Sequence, residues 1–365
     1  MTKARSAPDP WILISTLSIL AIGVVMVYSA SAVLAFHDYG DYFYYLKRQL
    51  VFAALGIAAM YMAMNVDYWV LGKYAKIGLI VCFALLVVVL IPGVGVVRGG
   101  ARSWLGIGSL GIQPSEFMKL GLIVFLAKML SNDRYDITSF AKGLMPPLLL
   151  VGAAFGLIMM QPDLGTGAVL VGASLIVIYT AGAKLSHLAL LGLAGLAGFV
   201  GLIAAAPYRL QRIVAFLDPW QDPLGAGYQA IQSLYAIGPG GLVGLGLGMS
   251  RQKYSYLPEP QTDFIFSIIA EELGFIGGAT VLLLFALLVW RGMRTAITAP
   301  DMFGSLLAVG IVGMVAVQVI INIGVVIGLL PVTGITLPLV SAGGSSLTLM
   351  LTAIGVLLNI SRYAR

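Results

Sequence analysis

The chain has 365 residues, 60% of them hydrophobic and only 10% charged, with a net charge of +6. Soluble domains carry about 25% charged residues, so this composition excludes a soluble globular protein and indicates an integral membrane protein. The basic residues are scattered along the loops without forming a stripe, which argues against nucleic acid as a partner. The hydrophobic runs are too long and unbroken for an outer-membrane barrel, whose strands alternate in polarity.

Apolar stretches of about 20 residues predict about ten transmembrane helices in one polytopic domain that covers residues 1–365. The first begins at Trp11 and exceeds the roughly 7–15 apolar residues of a secretory signal, so we expect a retained span. The predicted fold class is therefore an all-α membrane protein. The stretches lie near 11–35, 47–66, 76–92, 113–130, 143–160, 165–181, 186–206, 264–290, 303–328 and 344–360.

The loop charges predict the orientation of these helices. An even number of spans places both termini on one side, and most basic residues of the short loops fall on that side, among them Arg291 and Arg294. The opposite short loops carry only Lys47, Arg48, Arg98 and Arg102. The positive-inside rule then predicts cytoplasmic termini and a multi-pass protein of the plasma membrane.

The second outward loop carries Arg102 and leads into a helix that begins near Pro114. Glu116 and Lys119 share one face of this helix at i, i+3 spacing, inside the apolar span. Two interpretations fit the pair: an ion pair that locks two helices together, or the charged lining of a water-filled cavity. Further along, Asp163 lies in a tight connection and is predicted to cap the next helix.

One long loop, about 207–263, is predicted to face the outside and to lie ordered on the membrane or over a cavity. Its glycine-rich run 238–248 lacks the Lys-Ser/Thr pair and the preceding strand of a phosphate loop, so close backbone approach to the membrane or to a neighbouring helix is favoured. The basic residues of the loop are Arg209, Arg212, Arg251 and Lys253. The last two either meet an anionic lipid headgroup or are solvated surface charges.

Asp263 lies where a long apolar helix begins, directly behind the proline-broken segment 256–262 (YLPEPQT). A carboxylate at the membrane–water boundary is costly to desolvate, so Asp263 is a candidate functional residue; the alternative is a helix cap that complements the helix dipole. On the same helix, Glu271 and Glu272 lie deep enough to need polar neighbours. A stretch of small residues, 334–346, is predicted to form a close-packed re-entrant turn.

Short motifs occur in one order along the chain. They are 28–32 (YSASA), 100–104 (GARSW), 113–119 (QPSEFMK), 161–165 (QPDLG), 258–264 (PEPQTDF) and 331–334 (PVTG). With these motifs the chain resembles the SEDS family (shape, elongation, division and sporulation) along essentially its whole length. The stretch 64–69 (MNVDYW), Gln261 before Thr262 and the short tails are most similar to the sporulation branch of that family.

The resemblance implies a ten-helix peptidoglycan glycosyltransferase at the outer face of the plasma membrane. Its substrate would be lipid II, the undecaprenyl-diphosphate-linked disaccharide peptide. The resemblance also implies a class B penicillin-binding protein as partner, which crosslinks the new glycan for spore cortex, division or elongation. The essential aspartate of the family matches Asp263, and its polar central cavity is matched by Arg102, Glu116 and Lys119.

The chemistry of such a transfer fits these residues. The acceptor hydroxyl must lose its proton as it attacks the anomeric carbon with inversion, and one carboxylate base, Asp263, suffices because lipid diphosphate is already a good leaving group. Cations would hold the diphosphate charge. The candidates are Arg102, Lys119, Arg209 and Arg212, followed by Arg251 and Lys253. No metal ligands are predicted, although a divalent cation stays open. The rival functions are a lipid II flippase and a scaffold that recruits the penicillin-binding protein.

Overall fold

The computed structural model describes residues 6–98, 101–107, 110–204, 216–225, 227–254 and 256–364. These residues form a helical bundle with one small sheet. The α-helices are α1 (Pro10–Tyr39), α2 (Tyr44–Asn65), α3 (Trp69–Leu90), α4 (Pro114–Leu130), α5 (Met145–Met159), α6 (Leu164–Thr180), α7 (Leu185–Ala204), α8 (Tyr228–Gly240), α9 (Ile265–Ile297), α10 (Met302–Val326) and α11 (Ser345–Ser361). A π-helical turn, Phe140–Leu144, leads into α5, and a 3₁₀ turn covers Pro219–Gln221.

A helix lies at each apolar stretch that the sequence predicts, which confirms a mainly helical membrane fold. Six helical segments of the described residues are long and apolar enough to cross a membrane. They are α1, α2, α3, α9, α10 and the segment Phe140–Met159, which consists of the π-helical turn and α5. The helices α6 and α11 are apolar but shorter. The full number of crossings and their sidedness therefore remain predictions.

Three short strands depart from the predicted all-α class. The strands β1 (Gly95–Arg98), β2 (Ala101–Ile107) and β3 (Leu110–Ile112) form an antiparallel sheet between α3 and α4. The register shifts between Val96 and Val97, which marks a bulge. Apolar stretches of about 20 residues predict spans but give no signal for strands of three to seven residues, so the sequence predicts only a loop between α3 and α4.

Aspartates cap several helices. The Asp9 carboxylate accepts from the Trp11 amide at the start of α1, and the Asp301 carboxylate accepts from the Gly304 amide at the start of α10. The Asp163 carboxylate accepts from the Thr166 amide at 3.0 Å. These bonds satisfy amides that lack a partner in the first helical turn, and the last one confirms the cap predicted at Asp163.

The core of the bundle surrounds α10, which packs against α4, α6, α9 and α11. Gly310 lets α10 approach its neighbours closely: a methyl group there would lie 2.3 Å from Cγ2 of Ile123 and 2.9 Å from Cγ2 of Val177. Small residues at such crossings permit tight helix packing inside a membrane, where water provides no hydrophobic driving force. The helix α10 is therefore the central helix of the bundle, in close contact with α4, α6, α9 and α11.

The two ends of the chain meet at one end of the bundle. The Ser6 amide donates to the Arg362 carbonyl at 2.9 Å, just beyond the end of α11. Nearby, the Asn359 side chain donates to the Met64 carbonyl and accepts from the Tyr68 amide. The start of α11 lies at the opposite end, about 25 Å away for a helix of this length.

Candidate active site

A polar cavity of about 340 Å³ lies at the end of the bundle away from the chain termini. Its wall is formed by β2, the loop before α9, the coil before α11, and residues of α4, α6 and α10. Its charged lining residues are Glu116, Lys119, Asp163, Glu259 and Asp263, and its polar ones include Gln113, Thr262, Gln318 and Ser346. The structure thus brings together three residues that are distant in sequence and that the motifs single out: Glu116, Lys119 and Asp263.

Four helices, α4, α6, α9 and α11, begin at this cavity. The N-terminal end of a helix carries a partial positive charge and free amide groups. The described charged side chains of the wall are four carboxylates and one ammonium, an excess of negative charge that these helix ends partly offset. The convergence of helix N-termini makes the cavity able to hold an anionic group despite its acidic side chains.

Asp263 precedes α9 and presents its carboxylate to the cavity. Among the described residues this carboxylate has no hydrogen-bond or ion-pair partner, and Phe264, not Asp263, occupies the N-cap position of α9 without a side-chain cap bond. Asp263 therefore forms no side-chain cap of α9, although its carboxylate lies next to the N-terminal end of that helix, where the dipole favours a negative charge. Desolvation raises the pKa of Asp263 to about 7, and the neighbouring Glu259 and Asp163 carboxylates contribute to the rise. A carboxyl group of this kind exchanges a proton readily near neutral pH.

Glu116 and Lys119 form an ion pair in the cavity wall. Nζ of Lys119 lies 2.9 Å from Oε1 of Glu116, and both side chains are more than nine-tenths buried. Nζ of Lys119 also donates to Oε1 of Gln318 on α10 at 3.1 Å. The pairing predicted from the i, i+3 spacing is confirmed, and both interpretations of it hold, since the pair joins α4 to α10 and also lines the cavity.

Asp163 serves the wall of the cavity as well as the start of α6. While one carboxylate oxygen caps α6, the other accepts from Nε2 of Gln113 at 3.0 Å. Burial raises the pKa of Asp163. Because both of its oxygens are engaged, Asp163 ties the α5–α6 connection to the start of α4. Among the described carboxylates of the wall, Asp263 is the one with no partner on either oxygen.

Besides Lys119 in the cavity wall, the predicted cations that the structure describes occupy three different places. Arg102 lies on β2 beside the cavity, where its neighbours Ala101 and Ser103 form the wall, while its own side chain packs over Gly95. Lys253 lies outside the cavity wall, in the buried cluster described next. Arg251 is exposed on the surface of the long loop. The predicted residues Arg209 and Arg212 fall outside the described residues.

A buried cluster surrounds Glu271 and Glu272 and confirms that they need polar neighbours. Nζ of Lys253 lies 3.3 Å from Oε1 of Glu272, and the Ser29 hydroxyl of α1 donates to the same carboxylate. The Ser250 hydroxyl donates to Glu271 at 2.5 Å. The cluster thereby joins the long loop, α1 and α9, and the Lys253 charge is offset by Glu272.

The cluster coincides with a break in α9. Gly274 has φ 66° and ψ −162°, a conformation that interrupts the helix. The glycine-rich run supplies the missing bonds: the amides of Leu245 and Gly246 donate to the carbonyls of Glu271 and Glu272 at 2.9 and 3.0 Å. The Phe275 amide in turn donates to the Gly241 carbonyl at 2.8 Å. The prediction that this run lies close to a neighbouring helix is confirmed, whereas the break itself was missed.

The site also contains two amide side chains that the motif analysis missed. Nδ2 of Asn322 donates to the carbonyls of Asp263 and Ile335 at 2.8 and 2.7 Å. One turn earlier on α10, Nε2 of Gln318 donates to the Thr336 carbonyl at 3.0 Å. The available signal was a pair of amides at i, i+4 in an otherwise apolar helix, since polar groups inside a membrane segment are costly unless they are bonded.

The chain is similar to known proteins along nearly its whole length. The model of the FtsW/RodA/SpoVE family, described as a cell cycle protein, matches residues 10–365. The chain is 61% identical over 365 residues to stage V sporulation protein E of Bacillus subtilis, with 100% of both chains covered. It is 42% identical over 353 residues to a probable peptidoglycan glycosyltransferase FtsW of Geobacter metallireducens, covering 97% of this chain and 94% of the relative.

Solved structures show the same likeness. A chain in a structure described as the structural coordination of polymerization and crosslinking by a peptidoglycan synthase complex aligns with a TM-score of 0.81, 35% identity and 98% coverage of both chains. The rod shape determining protein RodA of Thermus thermophilus aligns with a TM-score of 0.72, 32% identity and coverage of 98% and 99%. The chain is a multi-pass protein of the plasma membrane. It belongs to the FtsW/RodA/SpoVE family, which is the SEDS family that its motifs resemble.

Proposed function

We propose that the protein is a peptidoglycan glycosyltransferase that polymerises lipid II at the outer face of the plasma membrane. Relatives named as peptidoglycan glycosyltransferases support the activity. The likeness to stage V sporulation protein E supports a role in sporulation. Within the chain, the observation that carries the proposal is the Asp263 carboxylate, which has no partner among the described residues and faces a cavity that also holds the Lys119 ammonium.

Asp263 acts as the general base. It takes the proton of the acceptor sugar hydroxyl while the hydroxyl oxygen forms a bond to the anomeric carbon of the lipid-linked donor. The bond from that carbon to the diphosphate oxygen breaks, and the electron pair leaves with the lipid diphosphate. This single displacement inverts the anomeric centre and needs no second carboxyl group as an acid, since the diphosphate is a stable anion. The pKa of Asp263, about 7, suits a base that works near neutral pH.

The cavity stabilises the negative charge of the diphosphate. Lys119 supplies a cation in the wall, and the N-terminal ends of α4, α6, α9 and α11 add partial positive charge. Arg102 at the rim, together with Arg209 and Arg212 of the long loop, supplies further cations in this proposal. Lys253 lies outside the cavity wall and is bound to Glu272, and the Arg251 amide is bound to Glu271, so we assign these two residues to holding the long loop on α9.

A transpeptidase of the class B penicillin-binding proteins is the proposed partner. The similar solved chain belongs to a peptidoglycan synthase complex in which polymerization and crosslinking are coordinated. A polymerase that makes glycan strands requires a separate activity to crosslink them, because crosslinking joins the attached peptides by acyl transfer, a different reaction from glycosyl transfer.

The proposal is tested with purified wild-type protein, its partner and labelled lipid II, with Asp263→Asn as the decisive variant. Loss of a general base should lower the polymerisation rate about 10²–10⁴-fold, while folding and insertion remain intact. Asp38→Asn is the matched control, because Asp38 is an exposed carboxylate near the end of α1. This variant should polymerise lipid II at the wild-type rate. If the protein is a flippase, Asp263→Asn should still transport lipid II. If it is a scaffold, the protein should bind its partner but make no polymer. Wild-type protein that makes no glycan would refute the enzymatic function.

A further inference from the structure

Two buried amide side chains connect the parts of the cavity. Gln318 and Asn322 lie one turn apart on α10, and each is 1% exposed. An amide buried in an apolar helix is costly unless its groups are hydrogen-bonded. Both side-chain nitrogens and the Gln318 oxygen are bonded, while Oδ1 of Asn322 has no partner among the described residues. Both side chains bond to main-chain carbonyls of the coil before α11. Asn322 also bonds to the proposed base, Asp263, and Gln318 to the proposed diphosphate-binding cation, Lys119.

Asn322 holds Asp263 through its backbone. The amide group of Asn322 donates to the Asp263 carbonyl and, at the same time, to the Ile335 carbonyl. The two preceding carbonyls are held as well: the Ser341 hydroxyl donates to that of Thr262 at 2.6 Å, and the Ala342 amide donates to that of Gln261 at 2.8 Å. Each main-chain carbonyl of the segment 261–263 therefore accepts a hydrogen bond, from the coil before α11 at residues 261 and 262 and from α10 at residue 263.

This arrangement answers a requirement of the site. A base must keep at least one carboxylate oxygen free to meet a substrate hydroxyl, and among the described residues no side chain or amide holds either oxygen of Asp263. The position of the carboxylate must then be imposed through the main chain. Asn322 does this from α10, most of whose residues are buried between α4, α6, α9 and α11.

Gln318 does the same for the cation. Its carbonyl oxygen accepts from Nζ of Lys119 at 3.1 Å, and its amide donates to the Thr336 carbonyl at 3.0 Å. Lys119 has a long, flexible stem, and an ammonium held by both Glu116 and Gln318 presents its charge at one point of the cavity wall. The same helix thus fixes both the base and the cation.

We propose that Asn322 and Gln318 are positioning residues that set the distance between the base and the diphosphate-binding cation, with Asn322 acting on catalysis and Gln318 on substrate affinity. The inference rests on the proposed glycosyltransferase function. Removing Asn322 displaces Asp263 in the transition state, so Asn322→Ala should lower kcat about 10²-fold and change KM little. Gln318→Leu removes one of the two partners of Lys119 and leaves only Glu116 to hold the ammonium, so it should raise KM more than it lowers kcat.

Asn359→Ala is the matched control. Like Asn322, Asn359 is a buried amide that donates to a main-chain carbonyl, that of Met64, but it lies where the chain termini meet. It should lower thermal stability without changing kcat per folded molecule. Asn322→Ser keeps one short donor, so it should recover part of the lost kcat and provides a folded variant if Asn322→Ala is unstable.

Two readouts separate positioning from general destabilisation. The acid limb of the kcat profile should move to lower pH in Asn322→Ala, because a displaced Asp263 gains water and its pKa falls. Hydrogen exchange of the amides at 262–264 should become faster in Asn322→Ala and stay unchanged in Asn359→Ala. The inference is overturned if Asn322→Ala keeps wild-type kcat and exchange, or if both Asn variants lose kcat equally. Hydrogen exchange can be measured without enzymatic activity, so it tests the role of Asn322 independently of the proposed function. If wild-type protein makes no glycan, the proposed function is refuted, whatever the exchange result.

Discussion

The Asp263 carboxylate combines exposure to a cavity with the absence of any partner among the described residues. Surface aspartates ionise at low pH, and structural ones are held by amides or cations, as Asp163 is by Thr166 and Gln113. Asp263 has neither kind of stabilisation, and it faces the like charge of Glu259. A group in this environment tends to bind a proton, which is the property that a base needs and a structural carboxylate avoids.

The Glu116–Lys119 pair should behave as one unit. Removing either partner leaves an uncompensated charge at membrane depth, so Glu116→Leu and Lys119→Met should each lower the free energy of unfolding by about 3–5 kcal/mol. The double variant should be more stable than either single variant. The measurement is a double-mutant cycle by thermal or chemical denaturation in detergent.

The exposed pair Asp41–Lys47 is the control for that cycle. Its atoms approach at 2.7 Å, but both side chains are open to water, which screens their interaction. A double-mutant cycle on Asp41 and Lys47 should give a coupling energy close to zero. Additive losses across the Glu116–Lys119 cycle would show that the two charges are independent and would contradict the pairing.

At the residue scale, the sequence predicts what is local. Glu116 and Lys119 meet because three residues of a helix separate them, and Asp163 caps the helix that follows it directly. The bonds from Asn322 to Asp263 and from Gln318 to Lys119 join segments that are far apart in the chain, and no local periodicity specifies them. Asp263 itself was found from its position at a helix start and from the family motif, whereas its lack of partners could be seen only in the structure.

At the scale of elements, α9 is the helix whose form the sequence leaves undetermined. Its apolar composition predicts one continuous span, yet Gly274 breaks it, and the glycine-rich run occupies the gap. The sequence signals were present as Gly274 and the adjacent Glu271 and Glu272, but only the backbone bonds from residues 241–246 explain them together. The β1–β3 sheet and α8 were missed for a related reason, since short elements within loops leave no apolar window of membrane length.

Gly274→Ala should destabilise the protein strongly. A side chain at φ 66° is strained, and its Cβ would lie 2.3 Å from the Gly244 amide nitrogen, so the glycine-rich run must move away from α9. The cost should exceed about 1 kcal/mol, measured as a fall in Tm or in the free energy of unfolding.

Gly152→Ala provides the comparison for that loss. Gly152 lies within α5, where an added methyl group meets open space, so the change should leave stability unchanged or raise it by about 0.5–1 kcal/mol. If the Gly274 and Gly152 variants unfold at the same temperature, the break in α9 does not depend on the backbone freedom of glycine.

At the scale of the whole molecule, the cavity and the chain termini lie at opposite ends. Ser346 at the start of α11 lines the cavity, while Arg362 just beyond its end contacts Ser6. Cytoplasmic termini, which the loop charges predict, would therefore place the cavity at the outer face. The side of the membrane on which the reaction occurs follows from this single orientation.

Cysteine labelling of intact cells tests that orientation. The only native cysteine, Cys82, is buried and should not react. An impermeant maleimide should label a cysteine placed at Gln221, in the exposed part of the long loop, and should label one placed at Thr298 only after permeabilisation. The reverse pattern would place the cavity in the cytoplasm.

The pH dependence of lipid II polymerisation by wild-type protein and by Asp263→Asn tests the role of Asp263 most directly. A base must be ionised to accept a proton, so wild-type kcat should fall about tenfold for each pH unit below about 7 and should level off above it. The residual rate of Asp263→Asn should lack this limb. A wild-type rate that is constant from about pH 5 to 9, or an acid limb that persists in Asp263→Asn, would contradict the assignment of Asp263 as the catalytic base.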